Sequence, residues 1–214
     1  RGMKGSLANS IVSSRLLSRI ARAHGLDHHT TLTGFKWIAR APGLGFGYEE
    51  AIGFCPDPAH VRDKDGIATA VVAASLVAAL KAQGCSVWDE LERLARLHGL
   101  HVSSPLTFRV EQIEQIASGM ARLRAQPPSV LAGSPVVEVS DLLQGYRGLP
   151  PTDGVLVLTE AGDRVIARPS GTEPKLKCYL EVILPVAEGD PLPWEQARER
   201  LNAIKGAFAE IIGL

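Results

Sequence analysis

The chain has 214 residues, 45% hydrophobic and 21% charged, enough to bury one large core or two smaller ones. Lys+Arg and Asp+Glu both number 23, so the net charge is zero and no global field draws the protein to nucleic acid or to a membrane surface. Any anion site must therefore be a local cluster.

Cys55, Cys85 and Cys178 are scattered and form no CxxC pair, which argues against a zinc site or a disulfide framework and fits a reducing, cytoplasmic setting. In chain order, residues 7–13 read as a buried strand. Residues 14–24 read as a helix, with Leu16, Leu17, Ile20 and Ala21 at helical spacing and Gly25 as its C-cap. A short element over 34–41 leads into a glycine-rich loop over 42–53. Residues 67–83 form a long apolar helix, expected to be buried against a sheet because an all-round apolar helix avoids water. Its uncharged stretch, 67–80, falls short of the ~18 residues that suggest a membrane span. A helix over 87–98 ends at Gly99.

The composition changes near 102–105. Beyond it, Val110, Ile113, Ile116, Met120 and Leu123 form a helical stripe stopped by Pro127-Pro128. Strands follow over 136–139, 154–159, 163–168 and 176–184, the middle pair joined by Glu160-Ala161-Gly162 as a hairpin. A last helix aligns Trp194, Ala197, Leu201, Ile204 and Phe208. The expected organisation is a three-layer α/β domain over 1–104 and a smaller α+β domain over 105–214, with an antiparallel sheet flanked by helices.

Four segments carry chemistry. The strongest is Arg168-Pro169-Ser170-Gly171-Thr172-Glu173-Pro174-Lys175, followed by Lys177, between two strands. Arginine offers a planar fork for phosphate oxygens, and the hydroxyls of Ser170 and Thr172 add donors. Gly171 permits a positive φ that would turn successive N–H groups onto one anion. The competing reading is a polar strand connection in which Arg168 pairs with Glu173.

In Gly47-Tyr48-Glu49-Glu50-Ala51-Ile52-Gly53, the two carboxylates could accept hydrogen bonds from vicinal hydroxyls, or form a solvated acidic turn. Arg62-Asp63-Lys64-Asp65-Gly66 opens the apolar helix, either as an anion site at a helix start or as a charge run with Asp65 as N-cap. Thr31-Leu32-Thr33-Gly34-Phe35-Lys36-Trp37-Ile38 forms a strand–turn–helix corner. There is no HExxH pattern among the six histidines, no GxxxxGK[ST] loop and no GxSxG elbow.

In this order, the four segments resemble landmarks of the third and fourth domains of the α-D-phosphohexomutase family, and residues 7–14 resemble the strand that opens its third domain. The resemblance covers nearly the whole chain. It implies transfer of a phosphoryl group between two oxygens of one sugar, through a phosphoserine in the first domain and a bisphosphorylated intermediate, with hexose 1,6-bisphosphate as activator. It implies Mg²⁺ on an aspartate-rich loop of the second domain, outside this chain. Carried onto these residues, it makes Glu49 the sugar-hydroxyl acceptor, with Thr33 and Gly34 lining the same cleft. Lys64 would face the substrate. Arg168, Ser170, Gly171, Thr172 and Lys175 would bind the phosphate that is not reacting.

Two departures matter. Many members have serine where this chain has Ala51, and the Glu-Glu-Ala-Ile-Gly form looks like the branch of bacterial phosphoglucomutase/phosphomannomutase and phosphopentomutase enzymes. The chain also holds no segment like the family's nucleophile or metal loop, so no catalytic residue and no metal ligand is assigned within it. Its implied partners are a phosphosugar and the N-terminal domains of a full-length enzyme. The start without methionine leads to the expectation of a fragment over a stand-alone phosphosugar-binding module.

Overall fold

The computed structural model describes residues 5–171 and 173–213. They divide into two compact units, Arg1–Leu100 with Pro185–Leu192, and His101–Leu184 with Pro193–Leu214.

The first unit begins with strand β1 (Ser6–Ser10), every residue of which is buried. Helix α1 (Leu16–Ala23) leads to β2 (His28–Thr31), the one-turn helix α2 (Phe35–Ile38) leads to β3 (Leu44–Glu49), and a tight turn leads to β4 (Gly53–Cys55). The sheet order is β2-β1-β3-β4. Strand β1 runs parallel to both β2 and β3, and β4 returns antiparallel to β3. Leu7 packs on Leu17 and Ala21 of α1, whereas its neighbour Ala8 packs on Phe35 and Ile38 of α2. Alternate residues of one strand thus hold helices on opposite faces of the sheet.

Residues 42–53, expected as a loop, contain β3. Leu44, Phe46 and Tyr48 alternate with glycines, and Gly47 is a packing requirement, because a Cβ there would lie 2.5 Å from Ile38 Cγ2. Helix α3 (Gly66–Ala82) forms where the apolar run predicts it, capped by the Asp65 carboxylate, which accepts the Ala68 N–H at 2.9 Å. It is not buried. Only Leu80 is, while Ile67, Val71, Val72, Leu76 and Val77 are exposed. The reason is its position: its main contact with the sheet is the three-residue strand β4 at the sheet edge, so there is little surface to lie on. Helix α4 (Val87–His98) follows, started by a capping box between Ser86 and Asp89.

The second unit contains a six-stranded sheet of order β5-β10-β9-β8-β7-β6. Its strands are β5 (Leu100–Arg109), β6 (Val130–Leu131), β7 (Ser134–Asp141), β8 (Val155–Thr159), β9 (Arg164–Pro169) and β10 (Lys175–Leu184). Residue 104 lies inside β5. The Ser103-Ser104-Pro105 run looks like a linker, but β5 is an edge strand, where a proline removes no necessary ladder bond. Helices α5 (Ile113–Ala125) and α6 (Trp194–Ile212) pack together on one face. Ile116, Met120, Leu123, Leu201, Ile204 and Phe208 meet the row Leu176, Cys178, Leu180 and Val182. Burial in this core pushes the Cys178 thiol up to about 12. The chain is thus a mixed α/β protein with one largely parallel and one antiparallel sheet.

Candidate functional site

In an open sheet wound to both sides, ligands bind outside the carboxyl ends of the strands, where the winding reverses. Here the chain goes from β1 to β2 on one side and then crosses to β3 on the other, so the reversal lies between β1 and β3. Four sequence-predicted groups sit at these strand ends or just beyond them. Thr33 and Gly34 follow β2, with Gly34 as the residue before α2, and Glu49 closes β3. Lys64 is brought to Glu49, its Nζ 3.8 Å from Oε1.

The two adjacent glutamates have different roles. Glu50 accepts from the Ser10 hydroxyl at 2.9 Å and the Ser13 hydroxyl at 3.1 Å, which ties the turn to the end of β1. Glu49 makes no such bond; its side chain is 14% exposed, and Lys64 is its neighbour. Gly53 sits beneath this pair. A Cβ there would fall 2.7 Å from Glu49 Oε1 and 2.8 Å from Lys64 Cδ, so only glycine leaves them room. The turn is also strained: Ile52, a β-branched residue, has φ 61° with its side chain in solvent.

Behind the crevice, the Asn9 amide donates to the Ser14 carbonyl at 2.9 Å, which leaves its Oδ1 to accept from His28 Nε2 at 2.9 Å. Burial, and to a lesser extent the charge of His29, holds the His28 pKa below its ordinary value.

Asp63 and Asp65 are spent on the backbone, accepting from the N–H groups of Lys64 at 2.7 Å and Ala68 at 2.9 Å. Among the described residues no group of three or more His, Cys, Asp or Glu side chains could hold a metal ion.

In the second unit the Arg-Pro-Ser-Gly-Thr-Glu-Pro-Lys run joins β9 to β10 as a hairpin, with Thr172 outside the described residues. The hairpin closes through the Ser170 N–H to the Lys175 carbonyl at 2.9 Å, and the Lys175 N–H reaches the Glu173 carbonyl at 2.7 Å. That second bond makes the sharp turn at Pro174. Gly171 accordingly does not take the positive φ that the sequence reading gave it; it is exposed, with open space around it.

The expected competitor for Arg168 also has another partner. Glu173 pairs with Lys175, and this bond, reinforced by the charges of Lys175, Arg109 and Lys177, holds the Glu173 carboxyl below its usual range. The Arg168 side chain makes no hydrogen bond or ion pair with the described residues and is half-buried. Directly across the ladder from it stands Lys177.

Like charges opposite one another destabilise a sheet. Four residues along the same face, the equivalent rung is neutralised: Arg164 stands opposite Glu181 and pairs with it at 3.2 Å, with His101 Nδ1 3.0 Å from the other carboxylate oxygen. One rung is answered within the protein and the other leaves two cations facing each other. Lys177 and Arg109 both lie near enough to Glu173 for their charges to act on it, so they flank the same hairpin. Lys177 was legible, as the residue two beyond Lys175 on one strand face. Arg109 comes from β5, which the sequence reading did not assign as a strand.

The fold and site together define a mixed α/β protein whose chemistry-bearing side chains sit on strand ends and hairpins. Residues 1–96 match the family described as phosphoglucomutase/phosphomannomutase, alpha/beta/alpha domain III, and residues 108–190 match its C-terminal domain. A Haemophilus influenzae protein named probable phosphomannomutase is 42% identical over 181 residues, covering 85% of this chain and 37% of its own length. The human phosphopentomutase is 30% identical over 230 aligned positions, covering 95% and 37%. A Paramecium phosphoglucomutase structure superposes with a TM-score of 0.69 at 19% identity, over 99% of this chain and 39% of its own. The chain belongs to the phosphoglucomutase/phosphomannomutase family and carries its third and C-terminal domains. It spans little more than a third of the length of these relatives.

Proposed function

We propose that this chain is the substrate-gripping C-terminal portion of a phosphosugar mutase that interconverts hexose 1-phosphate and hexose 6-phosphate through a bisphosphorylated intermediate. The carrying observation is the Arg168–Lys177 rung, two cations opposed on one strand pair beside the Ser170-Gly171 turn. A dianionic phosphate placed there would relieve the repulsion and take charge-assisted hydrogen bonds from the guanidinium fork. Lys175 would share that phosphate with Glu173.

In the first unit Glu49 accepts from sugar hydroxyls, Lys64 steadies its charge, and Thr33 and Gly34 line the crevice. Glu50 holds the turn rather than the sugar. Among the described residues no cluster of acidic side chains fits Mg²⁺, and Asp63 and Asp65 each accept a backbone N–H. In this reading the metal and the phosphoryl-carrying serine belong to other domains of a cytoplasmic enzyme, and no step of the chemistry runs on this chain. A pentose phosphate is the second reading, favoured by the likeness to human phosphopentomutase together with Ala51, which offers no hydroxyl contact.

The test is calorimetric titration of the chain with glucose 1-phosphate, glucose 1,6-bisphosphate and ribose 1-phosphate, alongside a turnover assay with Mg²⁺ and bisphosphate primer. The expected result is saturable binding without turnover. No binding of any of the three, or turnover by protein that mass spectrometry shows free of full-length enzyme, overturns the assignment.

A further inference from the structure

A cleft of about 660 Å³ lies between the last turns of α1 and α4, within the first unit. Helix α1 starts beyond the carboxyl end of β1 and finishes just before β2 begins, so its last turn lies at the opposite edge of the sheet from the crevice. Arg19 and Arg22, one turn apart on the same face of α1, line the cleft with His24. Arg93, Leu94 and Leu97 line it from α4, and Leu97 is 63% exposed.

Cations in a last turn often answer the carbonyls at a helix end. Arg19 does so, donating to the His98 carbonyl at 2.5 Å. Arg22 has no such duty. The carbonyls of Ala21 and Arg22 are already taken by the N–H groups of Leu26 and Gly25, in the turn that Gly25 makes at φ 64°. The side chains of Arg22 and His24 make no hydrogen bond or ion pair with the described residues. On α4 the arginines are answered, Arg93 by Glu90, and Arg96 by Glu92 and the carbonyls of Ala187 and Asp190. The positive charge of α1 is not.

We infer that this cleft is a second ligand site and that it takes a nucleoside polyphosphate, with the phosphates on Arg19 and Arg22 and the base against Leu94 and Leu97. Three properties select that class. Guanidinium groups without a carboxylate partner, in a protein of zero net charge, select an anion with phosphate geometry. The leucines on the adjoining wall call for an apolar or aromatic face, which inorganic phosphate lacks. Among the described residues that line the cleft none is a carboxylate, so the hydroxyls of a sugar bisphosphate would find no acceptor of the kind that Glu49 supplies in the crevice. The volume fits one small ligand rather than a strand of nucleic acid.

The test is calorimetric titration of the whole chain with ATP, with inorganic pyrophosphate and glucose 1,6-bisphosphate as comparison probes. The expected result is one saturable ATP site per chain and weaker binding of pyrophosphate. Arg22→Gln should weaken ATP about tenfold or more, as for a lost hydrogen bond to a charged group. Arg22→Lys should recover part of that loss, and Leu97→Gln should weaken ATP more than pyrophosphate. Both positions are exposed, and circular dichroism with thermal melts establishes that the variants fold. Neither residue belongs to the proposed sugar-phosphate site, so glucose 1,6-bisphosphate affinity should be unchanged in them, and Arg168→Ala should leave ATP binding intact.

Folded chain that binds no ATP overturns the inference. Loss of ATP binding in Arg168→Ala but not in Arg22→Gln places the nucleotide on the cationic hairpin of the second unit and overturns it too. Pyrophosphate bound as tightly as ATP, with no effect of Leu97→Gln, overturns the assignment to a nucleotide. Absent ATP binding with intact glucose 1,6-bisphosphate binding strikes this inference alone, and the reverse result strikes the proposed sugar-phosphate function alone.

Discussion

The strand ends of the two units are built on opposite electrostatic plans. In the first, almost every polar group has a partner: Glu50 takes two serine hydroxyls, Asp65 caps α3, and Asn9 joins Ser14 to His28. Glu49 is left with acceptor capacity facing one lysine. In the second, two cations face each other on the same rung. The first plan is preorganised, because hydrogen bonds to Glu50 fix the turn that carries Glu49 before any ligand arrives. The second is under repulsion and improves when an anion enters. Neutral hydroxyls suit the former and phosphate the latter.

This difference is broken most severely at Arg168. A hydrogen bond to a charged group contributes about 1.5–3 kcal/mol, so Arg168→Ala should weaken binding of glucose 1,6-bisphosphate on the order of ten- to a hundredfold in calorimetry. Arg168→Lys keeps the charge without the fork and should recover part of that loss. If the alanine variant melts lower while its affinity is unchanged, Arg168 is structural and the phosphate lies elsewhere.

Next in size is Glu49. Glu49→Gln keeps the shape and one acceptor but removes the charge that holds Lys64. Affinity should fall by roughly threefold to tenfold, the weight of one ordinary hydrogen bond of ~1 kcal/mol. The same change at Glu50 should act differently, lowering thermal stability through the Ser10 and Ser13 contacts. Equal effects of the two substitutions on affinity would erase the distinction drawn between them.

Lys177 sharpens the contrast with opposite signs. Lys177→Met relieves a like-charge rung worth about 0.2–1 kcal/mol, so the ligand-free protein should melt slightly higher while bisphosphate binding weakens. A variant that melts lower without ligand would show that Lys177 stabilises the sheet by some other contact.

Most of the layout was legible in the sequence, and the failures share a physical cause. Periodicity and caps announced α1, α3, α4, α5 and α6, and the apolar runs announced β8, β9 and β10. Strand β3 was hidden because Gly43, Gly45 and Gly47 read as loop, although Leu44, Phe46 and Tyr48 kept the period of two. Strand β5 was hidden by Pro105, which only an edge position tolerates, and edges are decided by tertiary pairing. The exposure of α3 was not legible, because apolarity states a need for cover without saying where the cover is. At the site, the residue types were visible, but which of Glu49 and Glu50 is engaged, and which residue faces Arg168, depend on strand register.

The smallest expected effect concerns the network behind the crevice. His28 is held below its ordinary pKa of 6.5, first by burial and then by the charge of His29. A lowered folded value means that the unfolded chain binds the proton more readily, so between the folded pKa and 6.5 stability falls as pH falls. Above 6.5 this contribution is fully present. The hydrogen bond fixes which nitrogen matters: Asn9 Oδ1 accepts, so the neutral ring carries its proton on Nε2. Protonation would add a second N–H at Nδ1 in a half-buried setting beside another imidazole. Melting followed from about pH 7.5 down to about pH 5.5, across the ordinary histidine range, should show the first unit losing stability. His28→Gln, which retains a donor for Asn9, should flatten that slope while leaving bisphosphate affinity near the wild-type value at neutral pH. An unchanged slope would place the acid sensitivity in another group and leave His28 a packing residue.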